Sequence, residues 1–197
     1  MKIYDISQEV FSSEVYPSDP VPKSNKICSM DRGDLYNLSE FSMCAHNGTH
    51  VDAPLHFIKN GNAVDKLELS HLVGNAYVVS HSGFLDSVDA DNILSRVKRE
   101  ATEACRRLLI KGDATVTEAA AQVFANEGIF LIGVESQSVG PIDAPMTVHQ
   151  ILLGKGVILL EGLRLDEVSD GRYILCAAPL KLAGLEGAPC RAVLIEV

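Results

Sequence analysis

The stretch Cys44-Ala-His46-Asn-Gly-Thr-His50-Val-Asp52-Ala-Pro-Leu-His56-Phe57 crowds His46, His50 and His56 around Asp52. Six histidines spread evenly along 197 residues would put only roughly 0.3 in a window that short. Gly48 and Pro54 disfavour a continuous helix here. In an extended chain, side chains alternate, so His46, His50 and Asp52 project to one side. An Asn47-Gly48 hairpin turn would break that alternation and still keep the imidazoles close. Taken singly, each histidine reads as an ordinary surface or capping residue. Taken together they do not, because clustered imidazoles repel when charged and serve no apolar core. Two imidazoles and a carboxylate are ligand types that suit Zn²⁺ or Mn²⁺. Three protein ligands with one position left open form the catalytic pattern, not the structural one.

The rest of the composition narrows the setting of this cluster. Apolar residues make up 47% of the chain, enough for one sizeable core. The net charge of −9 and the absence of Trp argue against nucleic-acid or anionic-membrane partners. The basic run Arg96-Val-Lys-Arg99 with Arg106-Arg107 lacks aromatic residues that could stack bases. The opening Met-Lys-Ile-Tyr-Asp-Ile-Ser has no apolar run of the kind a signal peptide needs. No apolar stretch approaches the ~20 residues of a membrane helix. Cys28, Cys44, Cys105, Cys176 and Cys190 are odd in number, scattered and without a CxxC pair. They read as free, buried thiols of a cytoplasmic protein, with Cys44 close enough to His46 to line a site.

Further out, strands are expected at Lys2–Ile6, Asn75–Ser80, Ile129–Val134, Val157–Leu160, Tyr173–Ala178 and Ala192–Val197. Tyr16-Pro-Ser-Asp-Pro20 with Pro22 reads as a turn-rich loop. Helices are expected from Asp89 or Asp91 through Lys98, from Thr117 as cap through Asn126, and from Thr147 as cap through Leu153. The stretch from Arg106 through Ile110 fits either a helix end or a strand. Strands alternate with helices only in the middle, which favours a mixed α/β layer fold over a doubly wound parallel sheet.

His46-Asn-Gly-Thr-His50-Val-Asp52-Ala-Pro54-Leu-His56-Phe57 resembles the HxGTHxDxPxHF signature of the cyclase-like metal-dependent hydrolases, which include kynurenine formamidases and isatin hydrolases. Further segments match along nearly the whole chain. Asp5-Ile-Ser7 resembles the family's DIS segment, and Tyr16-Pro-Ser-Asp19 its WPGD loop. Gly133-Val-Glu135-Ser-Gln-Ser138 resembles its GxDxxS segment, and Glu161-Gly-Leu163 its EGL element downstream of His149. The ending Pro179-Leu-Lys through Arg191-Ala resembles its PLKxxGxxGxPxRA. The resemblance implies a single swivelling β/β/α domain over residues 1–197, an α/β fold with a mixed sheet and short flanking helices. It also implies a strand at Arg107–Lys111. It makes His46, His50, Asp52, His149 and Glu161 the ligands of one or two divalent ions, Zn²⁺ or Mn²⁺, with Asp52 placed to bridge. It makes His56 the acid/base residue. It further implies a homodimer or homotetramer, with the active site closed near a subunit interface.

The implied activity is metal-assisted hydrolysis of a small amide, formamide or cyclic amide, of the arylformamidase type. The candidate substrate-binding residues are Tyr16, Asp19, Phe41, Phe57, Glu135 and Ser138. Tyr16 and Ser18 stand where the family loop has Trp and Gly, and Glu135 where it has Asp. A chain without Trp must build any aromatic wall from Tyr16, Tyr36, Phe41 or Phe57. A lactone or other cyclic ester would use the same chemistry, and a silent metal-binding scaffold is the non-catalytic alternative. A serine hydrolase using Ser136 or Ser138 lacks the GxSxG elbow. Gly154-Lys-Gly156 lacks the spacing of a phosphate-binding loop.

Overall fold

The computed structural model describes residues 1–101 and 106–197. Cys105 lies outside the described residues. Among the described residues, thirteen strands run in chain order. They are β1 (Ile3–Asp5), β2 (Lys23–Cys28), β3 (Leu38–Ser42), β4 (His50–Asp52), β5 (Val73–Ser80), β6 (Gly83–Leu85) and β7 (Arg107–Lys111). Then come β8 (Ala114–Val116), β9 (Leu131–Val134), β10 (Ile158–Glu161), β11 (Gly171–Cys176), β12 (Gly187–Pro189) and β13 (Val193–Glu196). The helices are α1 (Leu69–Leu72), α2 (Ser87–Glu100), α3 (Glu118–Asn126) and α4 (Met146–Gly154).

Nine of the strands form one sheet in the order β1-β13-β11-β5-β7-β9-β10-β4-β12. Strands β5, β7, β9 and β10 pair in parallel, and their neighbours on both sides are antiparallel. The fold is therefore the curled, mixed α/β sheet with short helices that the resemblance implied. Period-two alternation sorts the central strands between two apolar clusters. Tyr77, Val79, Leu108, Ile110, Ile132 and Leu159 meet the buried stripes of α2, α3 and α4 on one face. Val78, Leu109, Leu131, Leu160 and Val51 pack on the opposite face with Ile6, Leu163 and Leu194. Because Val51 and Leu160 point away from the helices, their neighbours His50, Asp52 and Glu161 point toward α4.

Three local expectations need correction. Helix α2 is capped by Asp86, not by Asp89 or Asp91: Asp86 accepts from the Val88 and Asp89 amides, and Asp89 closes the box from inside the first turn. Helix α4 has no side-chain cap; Pro145 precedes it and Thr147 already lies inside. Asn47-Gly48 is not a hairpin turn, since β4 pairs with β10 and β12 instead. Thr117 does cap α3, accepting from the Ala120 amide. Strands β2 and β3 form a separate two-stranded sheet for which the sequence shows no strand signal.

Candidate metal centre

Strand β4 is the sheet's contribution to the site. Glu161 of β10 faces His50 across one ladder, and Gly187 of β12 faces Asp52 across the other. The loop before β4 turns back through Asn47, whose side chain accepts from the Cys44 amide, and delivers His46 above the strand. Gly162, at φ 70°, ends β10 where the chain passes under this loop. A Cβ there would stand 2.5 Å from the Gly48 carbonyl oxygen, so only glycine lets the two segments meet. Thr49 Oγ1 and Gln8 Nε2 both donate to the Gly162 carbonyl and pin the junction. Helix α4 brings His149 in from the helical face.

These elements bring His46, His50, Asp52, His149 and Glu161 together. Asp52 Oδ1 lies 2.8 Å from His46 Nδ1 and 3.4 Å from His50 Nε2. Its Oδ2 lies 3.7 Å from His149 Nε2. Glu161 reaches His149 Nε2 at 3.3 Å with one oxygen and His50 Nε2 at 3.4 Å with the other. The donors fall into two overlapping triples, His46–His50–Asp52 and Asp52–His149–Glu161, each with its ligand atoms within 4.8 Å of one another. Asp52 belongs to both.

The environment fits a cation. Asp52, His50, His149 and Glu161 are all buried. Asp52 Oδ2 is buried with no hydrogen-bond partner among the described residues. A buried carboxylate oxygen without a partner is costly unless a positive charge meets it. Burial pushes His50 down, but the Asp52 and Glu161 carboxylates outweigh it and carry His50 up to about 10. Burial likewise opposes protonation of His46 and His149, and Asp52 and Glu161 respectively raise both. Burial works against ionising Asp52 and Glu161, yet the imidazoles hold both carboxyls below their ordinary values. The site is thus a cluster of buried carboxylates that draws positive charge to itself, as protons on the imidazoles or as a bound cation. Imidazole and carboxylate are the donor set of Zn²⁺ and Mn²⁺.

His56 differs from the other three. Its Nε2 is 4.0 Å from Asp52 Oδ2, and its ring stacks on His46 at 4.1 Å. Burial lowers its pKa, and cationic His46 and His149 lower it further. It is therefore the one imidazole of the four whose pKa the site lowers rather than raises.

The cavity over the cluster encloses about 210 Å³. Tyr16, Asp19, Phe57 and Ser138 line it, as does Cys44, whose thiol contacts Asp19. Phe41 does not reach it: the ring sits on β3 against a second groove, 61% exposed. Glu135 is also elsewhere, its carboxylate accepting from the Gly112 and Leu165 amides and so tying three loops together. Tyr36 is exposed away from the cavity, and His71 stacks on Phe130. Among residues the sequence did not single out, Gln137 lines the cavity with its buried amide unpartnered among the described residues. It lies between Glu135 and Ser138, but no pattern marks it. Glu186 Oε1 lies 3.5 Å from His46 Nε2.

A mixed sheet with this donor cluster at one edge defines a metal-site α/β fold. The family model described as "Putative cyclase" matches residues 4–141. A "Kynurenine formamidase" from Salinibacter ruber is 34% identical, covering 98% of this chain and 97% of the relative. A "Cyclase-like protein 1" from Oryza sativa is 38% identical over 85% of this chain and 68% of its own. A solved structure described as a "predicted metal-dependent hydrolase" from Bacillus stearothermophilus superposes with a TM-score of 0.81 at 29% identity, covering 98% and 97% of the two chains. The chain belongs to the cyclase family of metal-dependent hydrolases.

Proposed function

We propose that the chain hydrolyses a small amide or formamide of the arylformamidase type, with His46, His50, Asp52, His149 and Glu161 holding one or two Zn²⁺ or Mn²⁺ ions. The observation that carries this reading is Asp52, whose oxygens face two separate donor triples and one of which is buried unpartnered. A divalent ion held there would supply Lewis acidity, lowering the pKa of water toward ~7 and polarising a carbonyl. His56, whose pKa burial lowers, would take the proton of the attacking water and return it to the leaving nitrogen. The unpartnered Ser138 hydroxyl and Gln137 amide offer hydrogen bonds to the substrate. Tyr16 and Phe57 supply apolar walls, and Tyr16 is fixed by donating its hydroxyl to the Ile142 carbonyl at 2.6 Å. A cavity of about 210 Å³ lies below the usual ~300–1,000 Å³ of ligand sites, which favours a compact substrate.

The test is a panel of formanilides, lactams and lactones run on protein reloaded with Zn²⁺ or Mn²⁺ after chelation. Formanilide turnover that disappears with chelation and returns with metal is expected. Turnover indifferent to a chelator would sink the reading, and turnover of lactones alone would move it to the cyclic-ester alternative.

The same reading takes residues 1–197 as one domain, supported by β1 and β13 pairing within the sheet that carries the site. It takes the protein as a homodimer or homotetramer with the site near an interface. The support is the β2–β3 hairpin, exposed on both faces with Ile27, Leu38 and Phe41 in the open, which is marginal as an isolated unit. A cytoplasmic location is supported by the free thiols at Cys28, Cys44, Cys176 and Cys190. No helix among the described residues is long and apolar enough to cross a membrane.

A further inference from the structure

Two of the cluster's histidines are oriented by backbone. His50 Nδ1 lies 3.0 Å from the Gly48 carbonyl oxygen, and His149 Nδ1 lies 2.8 Å from that of Pro145. A carbonyl only accepts, so Nδ1 of each ring donates to it, and Nε2 is the nitrogen turned toward Asp52 and Glu161 and free to ligate. His46 is inverted. Its Nδ1 faces Asp52 Oδ1 at 2.8 Å, which leaves Nε2 as the nitrogen not engaged by Asp52. That Nε2 is buried and has no hydrogen-bond partner among the described residues. The carboxylate facing it is Glu186, with Oε1 at 3.5 Å.

Glu186 is placed there by the sheet. It immediately precedes β12, in which Gly187 pairs with Asp52, and its carbonyl accepts the Ala53 amide at 2.8 Å. A Cβ at Gly187 would lie 2.8 Å from His46 Cε1, so the bare backbone there lets the His46 ring seat against β12. The ring is thus enclosed by Asp52, β12 and the stacked His56, with one nitrogen left for Glu186.

We propose that Glu186 is the positioning residue of His46: its carboxylate accepts the Nε2 proton, fixes that tautomer and leaves Nδ1 as the ligating atom. The inference rests on the metal reading above. An anionic acceptor also makes the ring a stronger donor than a neutral carbonyl does, and such partners are worth about 10- to 100-fold in metal affinity. The Glu186 side chain is 40% exposed, so its removal leaves no buried cavity.

The experiment titrates chelator-stripped protein with Co²⁺, reading the visible absorption, and then with Zn²⁺ against a competing chelator. Glu186→Ala is expected to weaken binding at the His46 position by about 10- to 100-fold and to shift the Co²⁺ spectrum. Glu186→Gln keeps an acceptor oxygen and is expected to recover part of both. In a His46→Ala background, Glu186→Ala is expected to add no further loss, because the coupling runs through that ring. Wild-type uptake with equal affinity and spectrum in Glu186→Ala overturns the inference alone. So does an equal loss with and without His46. Wild-type protein that takes up neither ion overturns the metal reading itself, and the Glu186 role with it.

Discussion

The two halves of the site are built differently. His149 and Glu161 come from a helix and a strand, are buried, and are held by the Pro145 carbonyl and the Val139 amide. His46 comes from a loop, is partly exposed, stacks on His56 and meets Glu186 at the rim. His50 and Asp52 of β4 sit between and belong to both. One half is therefore set by the same ladders and helix that make the fold, with its side chains nearly fully buried. The other is set by a loop and by groups that solvent and substrate can reach. A site so divided can keep its charge balance in the sealed half while the open half adjusts to the substrate.

The largest effect tests whether the halves are joined. Asp52→Ala is expected to remove the ions from both halves and to lower kcat/KM by on the order of 10³-fold or more. Metal analysis beside steady-state kinetics checks it; a variant that keeps one ion at full affinity would show that the carboxylate is not shared. Next comes the proton-transfer residue over the open half. His56→Ala is expected to lower kcat by about 10²- to 10⁴-fold and to keep its metal, whereas His50→Ala loses metal. Equal metal content and equal loss of rate in the two variants would erase the distinction between ligand and acid/base. The smaller contrast lies between the halves themselves. His46→Ala is expected to regain part of its activity with millimolar imidazole, because the rim admits a small molecule. His149→Ala is expected to gain less, since that side chain is only 3% exposed and sits on α4, and to melt at a lower temperature. Equal rescue of both variants would mean that the sealed half is open in solution.

How legible these halves were in the sequence follows the same division. The open half is written in one run, His46 to His56, where spacing alone brought out His46, His50 and Asp52. The sealed half joins residues about a hundred positions away, and nothing local tells His149 from any helix-surface histidine. Only the family pattern assigned it. Glu161 stood out more, as a carboxylate closing the apolar run Val157–Leu160. Edge contributions were the hardest to see. β12 is three residues long and contains Gly and Pro, so neither the strand nor Glu186 before it carries a periodic signal. Phe41 and Glu135 went astray for other reasons: Phe41 is an aromatic residue close to the motif and Glu135 stands in a segment matching the family, but the pairing of β3 with β2 and a loop clamp claim them instead. The Asp86 cap was hidden by a run of acids in which any of three could serve.

The smallest effect concerns the wall of the open half. Tyr16-Pro17-Ser18-Asp19 forms a tight turn, with the Asp19 amide donating to the Tyr16 carbonyl at 3.0 Å and Ser18 at φ 76°. Proline second and a left-handed third residue are the marks of a type II turn, whose third position suits glycine. This chain places serine where the resembling loop has glycine, so Ser18 carries left-handed strain of order 1–2 kcal/mol. Ser18→Gly relieves that strain and gives back roughly 0.4–1 kcal/mol through the looser unfolded chain. The balance favours the variant by about 0–1.6 kcal/mol, and each 1 kcal/mol raises Tm by roughly 2–4 °C for a chain this long. Metal content should not change, since neither half of the site takes a ligand from this turn. A lower Tm would mean that the serine holds the turn in some way the backbone geometry does not reveal. A changed KM at constant Tm would mean instead that turn stiffness, through Tyr16 and Asp19, is part of how the open half grips its substrate.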